Sequence, residues 1–171
     1  NRIEDKIVAI PMKCQFRWSM VNFGLVKSIG LSTTAGCDRT WGIFALSANA
    51  NYTCQQDRDY SSPLDPEYKN TIPYSPLHSA SLIVDLGYDG YSLCTSWLYT
   101  GNRFALISNN KEDMLGAWQT VDLKLNKRFC IGRQSLQTTI ECNNITNSRH
   151  EVVKRYPMPG RNWKLSVQWS W

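Results

Sequence analysis

The sequence predicts an all-β fold, a sandwich or barrel with little helix, on three observations. Apolar residues recur with period two in stretch after stretch, helical periodicity is scarce, and six cysteines stand without close pairs. Period-two alternation marks a strand that buries one face. Eight or more such strands with few helices define a sandwich or barrel. Cys14, Cys37, Cys54, Cys94, Cys130 and Cys142 show no CxxC or CxH spacing. Metal fingers and thiol redox motifs need such pairs, so the even count predicts disulfides and an oxidising compartment.

Taken in order, residues 7–10 read as a short buried strand. Phe16, Trp18 and Met20 alternate with Gln15, Arg17 and Ser19, the pattern of a second. Apolar runs at 41–46, 81–86, 92–99 and 103–108 read as more deeply buried strands. Val121, Leu123 and Leu125 alternate with Asp122 and Lys124. At the end, Trp163, Leu165, Val167, Trp169 and Trp171 share one face, and Lys164, Ser166, Gln168 and Ser170 the other. Only residues 149–156 offer two helical turns, which Pro157 would end. Residues 47–80 hold four prolines and few aliphatics, and read as a long, structureless connection tethered by Cys54.

Cys130 and Cys142 flank residues 131–141, which read as two strands joined by a turn near Gln134–Gln137. A Cys130–Cys142 bridge across that hairpin is the first pairing expected. Cys14–Cys37 and Cys54–Cys94 follow by elimination.

At 171 residues the chain suits a single domain, residues 1–171, burying roughly 70% of its unfolded surface. It contains no run of 18 apolar residues, so no membrane span is expected. The missing start methionine and the bridges together suggest a secreted or cell-surface protein with a processed N-terminus at Asn1. The net charge of +5 is uneven: residues 124–164 carry nine bases against two acids, a net of +7. That basic third either attracts an anionic surface or is a solvated face.

Catalytic and metal signatures are missing. There is no G-x-S-x-G elbow, no HExxH, no P-loop and no dinucleotide glycine pattern. Asp57, Asp59 and Asp65 superficially match a calcium loop, but Ser62 replaces its turning glycine and Glu67 falls one place early. No cofactor, metal or nucleic-acid partner is expected. His78 and His150 are the only histidines and offer the one enzymatic alternative, a small secreted ribonuclease using them as acid and base. Asn51-Tyr-Thr53 and Asn144-Ile-Thr146 match the N-glycosylation triplet.

Seven tryptophans and eight tyrosines exceed what one modest core needs. Flat aromatic faces stack on sugar rings while nearby Asp, Asn and Arg bond the hydroxyls. The segments Gly87-Tyr-Asp-Gly-Tyr91 and Trp97-Leu-Tyr-Thr-Gly-Asn-Arg103 present that mixture on turns adjoining strands. Tyr88, Asp89, Tyr91, Trp97, Asn102 and Arg103 are therefore the expected binding residues.

The stretch from Phe104-Ala-Leu-Ile-Ser to Leu115-Gly-Ala-Trp-Gln-Thr-Val-Asp-Leu-Lys-Leu-Asn126 resembles the late strands of bacterial fimbrial tip adhesins. That resemblance implies an immunoglobulin-like lectin domain binding host glycans. Arg128-Phe-Cys-Ile131 with Ile140-Glu-Cys142 is similar to the bridged hairpin in binding subunits of the pertussis and subtilase toxin group. Both imply a non-enzymatic module whose partner is a cell-surface glycan or glycoprotein. A protein-binding ectodomain is the remaining alternative.

Overall fold

A computed structural model describes residues 2–11, 18–132 and 134–171. Eight strands form one antiparallel sheet. They are β1 (Arg2–Pro11), β2 (Trp18–Trp41), β3 (Phe44–Asp59), β4 (His78–Tyr88), β5 (Tyr91–Thr100), β8 (Trp118–Ile131), β9 (Gln134–Asn143) and β12 (Asn162–Ser170). Two ribbons complete the fold: β6 (Arg103–Phe104) with β7 (Met114–Leu115), and β10 (Glu151–Val153) with β11 (Tyr156–Pro157). The all-β expectation holds. Each large strand pairs antiparallel with the next large strand along the chain, and the substantial contacts in the sheet are between ladder neighbours. The strand order is an up-and-down meander.

Short turns join strands at one end of the sheet. Trp41 faces Phe44 across Gly42 and Ile43, and Tyr88 faces Tyr91 across Asp89 and Gly90. Asp89 and Gly90 have φ of 41° and 74°, the left-handed pair that a type I′ hairpin demands and that Asp-Gly supplies. At the opposite end the connections are long: residues 60–77, 101–117 and 144–161. This asymmetry of short turns and long loops fixes two distinct ends.

Several expectations are corrected. Residues 47–59 continue β3 rather than forming a loop, because Ala48, Ala50 and Tyr52 alternate with Asn49, Asn51 and Thr53. Residues 149–156 form no helix; their carbonyls and amides build the β10–β11 ribbon. Residues 134–137 are ladder, and the hairpin turns before them. The apolar run at 103–108 keeps only the two residues of β6 as strand.

The disulfide framework is also overturned. Cys37, Cys54, Cys94, Cys130 and Cys142 are all free thiols. Cys130 pairs with Ser135, and Cys142 lies seven residues further along β9, roughly 24 Å away and on the opposite face. Cys54 and Cys94 likewise point to opposite faces. Cys14 and Phe16 lie outside the described residues.

A small apolar core of Phe23, Val26 and Ile72, with Val8, Val21 and Ile107 packed on it, sits where residues 60–77 and 101–117 meet β1 and β2. Asp57 is buried beside it, accepting hydrogen bonds from Ser28 and from Ser75 Oγ at 2.8 Å. The same connection carries a liability. Burial pushes the Glu67 carboxyl up, and Asp65 and Asp59 add to the rise. A raised pKa means the ionised form is disfavoured in the folded state, so Glu67 costs stability at neutral pH and ceases to once protonated. Glu67→Gln is expected to raise the melting temperature at pH 7 by about a degree or two, with the gain vanishing near pH 4. Parallel melts at both pH values check this.

Candidate functional site

The register sorts side chains onto two faces, one mainly apolar though it carries Arg39, the other mainly polar though it carries Ile83 and Leu98. One face carries Phe44, Leu46 and Ala48 of β3, with Tyr88, Leu86 and Val84 opposite on β4. Tyr91, Leu93 and Trp97 of β5 continue it, followed by Leu125, Leu123 and Val121 of β8. Ile140 of β9 and Leu165 of β12 extend the row of Leu46, whose partner on β2 is Arg39. On the other face lie Asn49, Asn51, Asp85, Ser96, Asp122, Lys124, Asn126, Glu141, Lys164 and Ser166. There Thr139 Oγ1 donates to Asn126 Oδ1 at 2.6 Å, and Lys124 and Lys164 flank Glu141 at 3.4 and 3.5 Å.

Among the described residues nothing packs over the apolar face of β12. Trp163, Leu165 and Val167 are 67%, 67% and 63% exposed, values at odds with a face that packs on a core. Aromatic residues mark both margins of this face. Trp41, Phe44, Tyr88 and Tyr91 line the short-turn end, while Tyr52 and Tyr99 stand eight residues further along their strands. That interval is roughly 27 Å along a strand, or about 20 Å in height at a 40° tilt. At the short-turn margin Lys127 lies on the apolar face, its Nζ 3.5 Å from the Tyr91 ring centre and donating to the Asp89 carbonyl at 3.0 Å. Its charge is thereby turned out of the apolar band.

At the other end the long connections are tied to one another over the polar face. Arg103, 5% exposed, donates through Nη2 to the carbonyls of Glu151 and Val152 at 2.7 and 2.9 Å. Burial lowers the Arg103 pKa, opposed by the neighbouring Tyr74, and burial raises that of Tyr74. Lys154 Nζ meets Asp113 Oδ1 at 2.6 Å, clamping residues 101–117 to residues 144–161. Asn109 Oδ1 accepts from Thr71 N at 2.7 Å, joining residues 60–77 to the same assembly. Next to this clamp lies a cavity of about 320 Å³ lined by Met114, Leu115, Trp118, Arg149, His150 and Glu151, among others. The Trp118 and His150 rings stack within it, centroids 4.2 Å apart and planes 21° from parallel.

The six expected binding residues do not converge. Tyr88, Asp89 and Tyr91 occupy the short-turn end, where Tyr88 stacks on Phe44 with centroids 4.5 Å apart. Asn102 and Arg103 lie past the far end of β5, a strand of ten residues and thus about 30 Å away. Trp97 sits between them on the apolar face, stacked on Tyr99 and donating to Gln119 Oε1 at 3.1 Å. Asn102 Oδ1 accepts from Ala117 N at 2.6 Å, and Arg103 is a buried clamp rather than a rim.

His78 and His150 are also apart. His78 Nδ1 lies 2.8 Å from the Tyr52 hydroxyl on the apolar face, while His150 rests on Trp118 at the polar face. Asp57 and Asp59 are buried along β3 and Asp65 caps Glu67 N, so the acidic run does not converge on an ion. Among the described residues no group of three or more His, Cys, Asp or Glu is placed to hold a metal. Asn144 is buried, its side chain donating to Ser148 O at 2.9 Å and accepting from Ser148 N at 2.9 Å, so this triplet presents no free amide to a glycosyl donor. The basic third is dispersed: Lys124 and Lys164 on the polar face, Lys127 at the short turns, Arg149, Lys154, Arg155 and Arg161 at the long loops. Trp118, Arg149, Asp113 and Lys154 escaped the sequence reading as site residues, since no spacing links positions that only the connections bring together.

No protein-family model matches the chain, and no curated protein does. Solved structures do match. The crystal structure of BauA, the ferric preacinetobactin receptor from Acinetobacter baumannii, matches with a TM-score of 0.68 at 13% identity, over 96% of this chain and 25% of that one. The ferric yersiniabactin uptake receptor FyuA from Yersinia pestis matches with a TM-score of 0.51 at 12% identity, over 96% and 31%. The chain spans a quarter to a third of the length of these receptors. At such identity the likeness shows the fold alone, an antiparallel all-β sheet.

Proposed function

We propose that the sheet is part of the wall of a membrane-spanning β-barrel, and that the protein is a cell-surface receptor for a small ligand. The observation that carries this reading is the uncovered apolar face bordered by aromatic residues at both margins, backed by a polar face. A barrel strand meets lipid on one side and a polar interior on the other, with aromatic girdles at the interfaces and an apolar band about 25 Å tall. Short turns on one side of the membrane and longer loops outside are the matching asymmetry. No helix here is long and apolar enough to cross a membrane, a test that does not apply to strands. The ferric preacinetobactin and ferric yersiniabactin receptors among the structural neighbours support a small ligand. Glycan recognition is a narrower form of the same reading, suggested by the aromatic and polar mixture of the sequence, and a glycan panel tests it directly.

The native thiols supply a test of the wall. Cys37 lies on the apolar face opposite Ala48, and Cys94 on the polar face opposite Lys124. Nitroxides on single-cysteine variants of the full-length protein in phosphatidylcholine vesicles are expected to relax differently. The Cys37 label should respond to oxygen, which concentrates in lipid, and the Cys94 label to a water-soluble nickel chelate. Nickel access at Cys37 equal to that at Cys94 would refute the membrane reading.

A further inference from the structure

We infer that the cavity between residues 114–118 and residues 149–151 is a binding site for a small, planar, anionic molecule. This rests on the receptor reading for its biological sense and adds the chemical class of ligand. Three independent features point to that class. The stacked Trp118 and His150 rings form a flat wall fixed by mutual contact, so a planar molecule meets a surface already ordered and loses little freedom on either side. His150 Nδ1 is 3.2 Å from the Ser148 carbonyl, which assigns the proton to that nitrogen and holds the imidazole in one orientation.

The second feature is charge. Residues 144–161 carry Arg149, Lys154, Arg155 and Arg161 against Glu151 alone, a net of +3. Lys154 is neutralised by Asp113, and Glu151 Oε2 is held by the Arg155 backbone amide at 2.8 Å, fixing the one acid of the wall. Arg149 lines the cavity and makes no hydrogen bond or ion pair with any described residue, leaving its guanidinium for a ligand carboxylate. The third feature is rigidity. Arg103 grips the carbonyls of Glu151 and Val152, and Asn102 takes the Ala117 amide, so both walls are anchored from behind by polar groups. A cavity of about 320 Å³ admits one or two fused rings.

The test uses 2-naphthoate as probe, with 2-naphthol as its neutral counterpart and cyclohexanecarboxylate as its non-aromatic one. Titration of the full-length protein, followed by probe anisotropy or calorimetry, is expected to give saturable binding of naphthoate in the order naphthoate, naphthol, cyclohexanecarboxylate. Arg149→Gln, an exposed change that leaves the clamp intact, is expected to weaken naphthoate about tenfold and to erase its advantage over naphthol. His150→Leu should weaken both aromatic probes by a similar factor. No saturable naphthoate binding, or equal affinity in Arg149→Gln, overturns the site. That outcome with a lipid-facing Cys37 label would remove the pocket and leave the barrel wall standing; a wet Cys37 with intact naphthoate binding would do the reverse.

Discussion

Leu123→Arg is expected to cost about 2–4 kcal/mol of folding free energy in a bilayer, the penalty of a guanidinium at the midplane on a lipid-facing strand. Leu123 pairs with Thr95 and Cys142, and its row also holds Val84 and Ala48, four residues from each aromatic margin. An arginine there has no carboxylate beside it in its row, only the Thr95 hydroxyl and the Cys142 thiol, and lies too far from either interface to reach it. The discriminating comparison is Leu136→Arg, on the same face but in the row of Phe129 and Trp169 beyond the short-turn margin. There the cost should fall to about 0–1 kcal/mol, because the side chain snorkels. Ser96→Arg, on the polar face opposite Asp122, should change stability by about 0.5 kcal/mol or less. Urea titrations of folding into vesicles give all three values. A protein layer over this face would make Leu123→Arg and Leu136→Arg comparably harmful. A wet face would make both harmless. Only lipid imposes the gradient.

The strands at residues 121–125 and 163–171 were legible because each alternates large apolar with polar residues, and those at 81–86 and 92–99 because each is a short apolar run. Two stretches were not. Along β2, Gly30, Ser32, Thr34 and Gly36 alternate with Leu31, Thr33, Ala35 and Cys37, a contrast too weak to mark two faces. Along β3, Ala48 and Ala50 do the same against Asn49 and Asn51, and the prolines that follow make the whole segment look like a loop. The alternation left open what meets the apolar face. A period of two says that one face avoids water, and a protein core and a lipid bilayer satisfy it equally. Residues 163–171 read as half-buried, whereas their tryptophans face outward. The apolar-run test speaks only of helices, since a strand that crosses a membrane needs about ten residues, half of them polar. The cysteines misled because an even count without close pairs fits unbonded thiols as well as bridges. Position along the strand decides between them: Cys130 falls on the polar side of β8 and Cys142 on the apolar side of β9.

Lys154→Met is the second change with a large expected effect, and it acts on the loops rather than the wall. Lys154 Nζ donates to Asp113 Oδ1 at 2.6 Å and to the Glu112 carbonyl at 2.9 Å, with the Asp113 side chain 4% and the lysine 27% exposed. Deleting the cation removes the 2.6 Å partner of a carboxylate in a place that water barely reaches. A fully buried pair broken this way loses about 3–5 kcal/mol, and the partial exposure of the lysine reduces that to about 2–3 kcal/mol. The loss should stay local, because Asp113 also holds the loop through its carbonyl, which accepts from Ala105 N at 2.9 Å, and none of these bonds enters the large sheet. Cleavage by a glutamate-specific protease at Glu112 and Glu151 should therefore accelerate by roughly thirtyfold or more while the urea midpoint of the sheet barely moves. Adding Asp113→Leu to Lys154→Met should restore most of the protection, since an apolar pair leaves no charge to desolvate. Unchanged cleavage in the single variant, or a double variant no better protected, would show that the ion pair does not hold the loops. The same protease rates separate the clamp from the ligand site: Arg149→Gln should bind naphthoate poorly yet resist cleavage, whereas Lys154→Met should lose both, because the cavity exists only while residues 101–117 and 144–161 are held together.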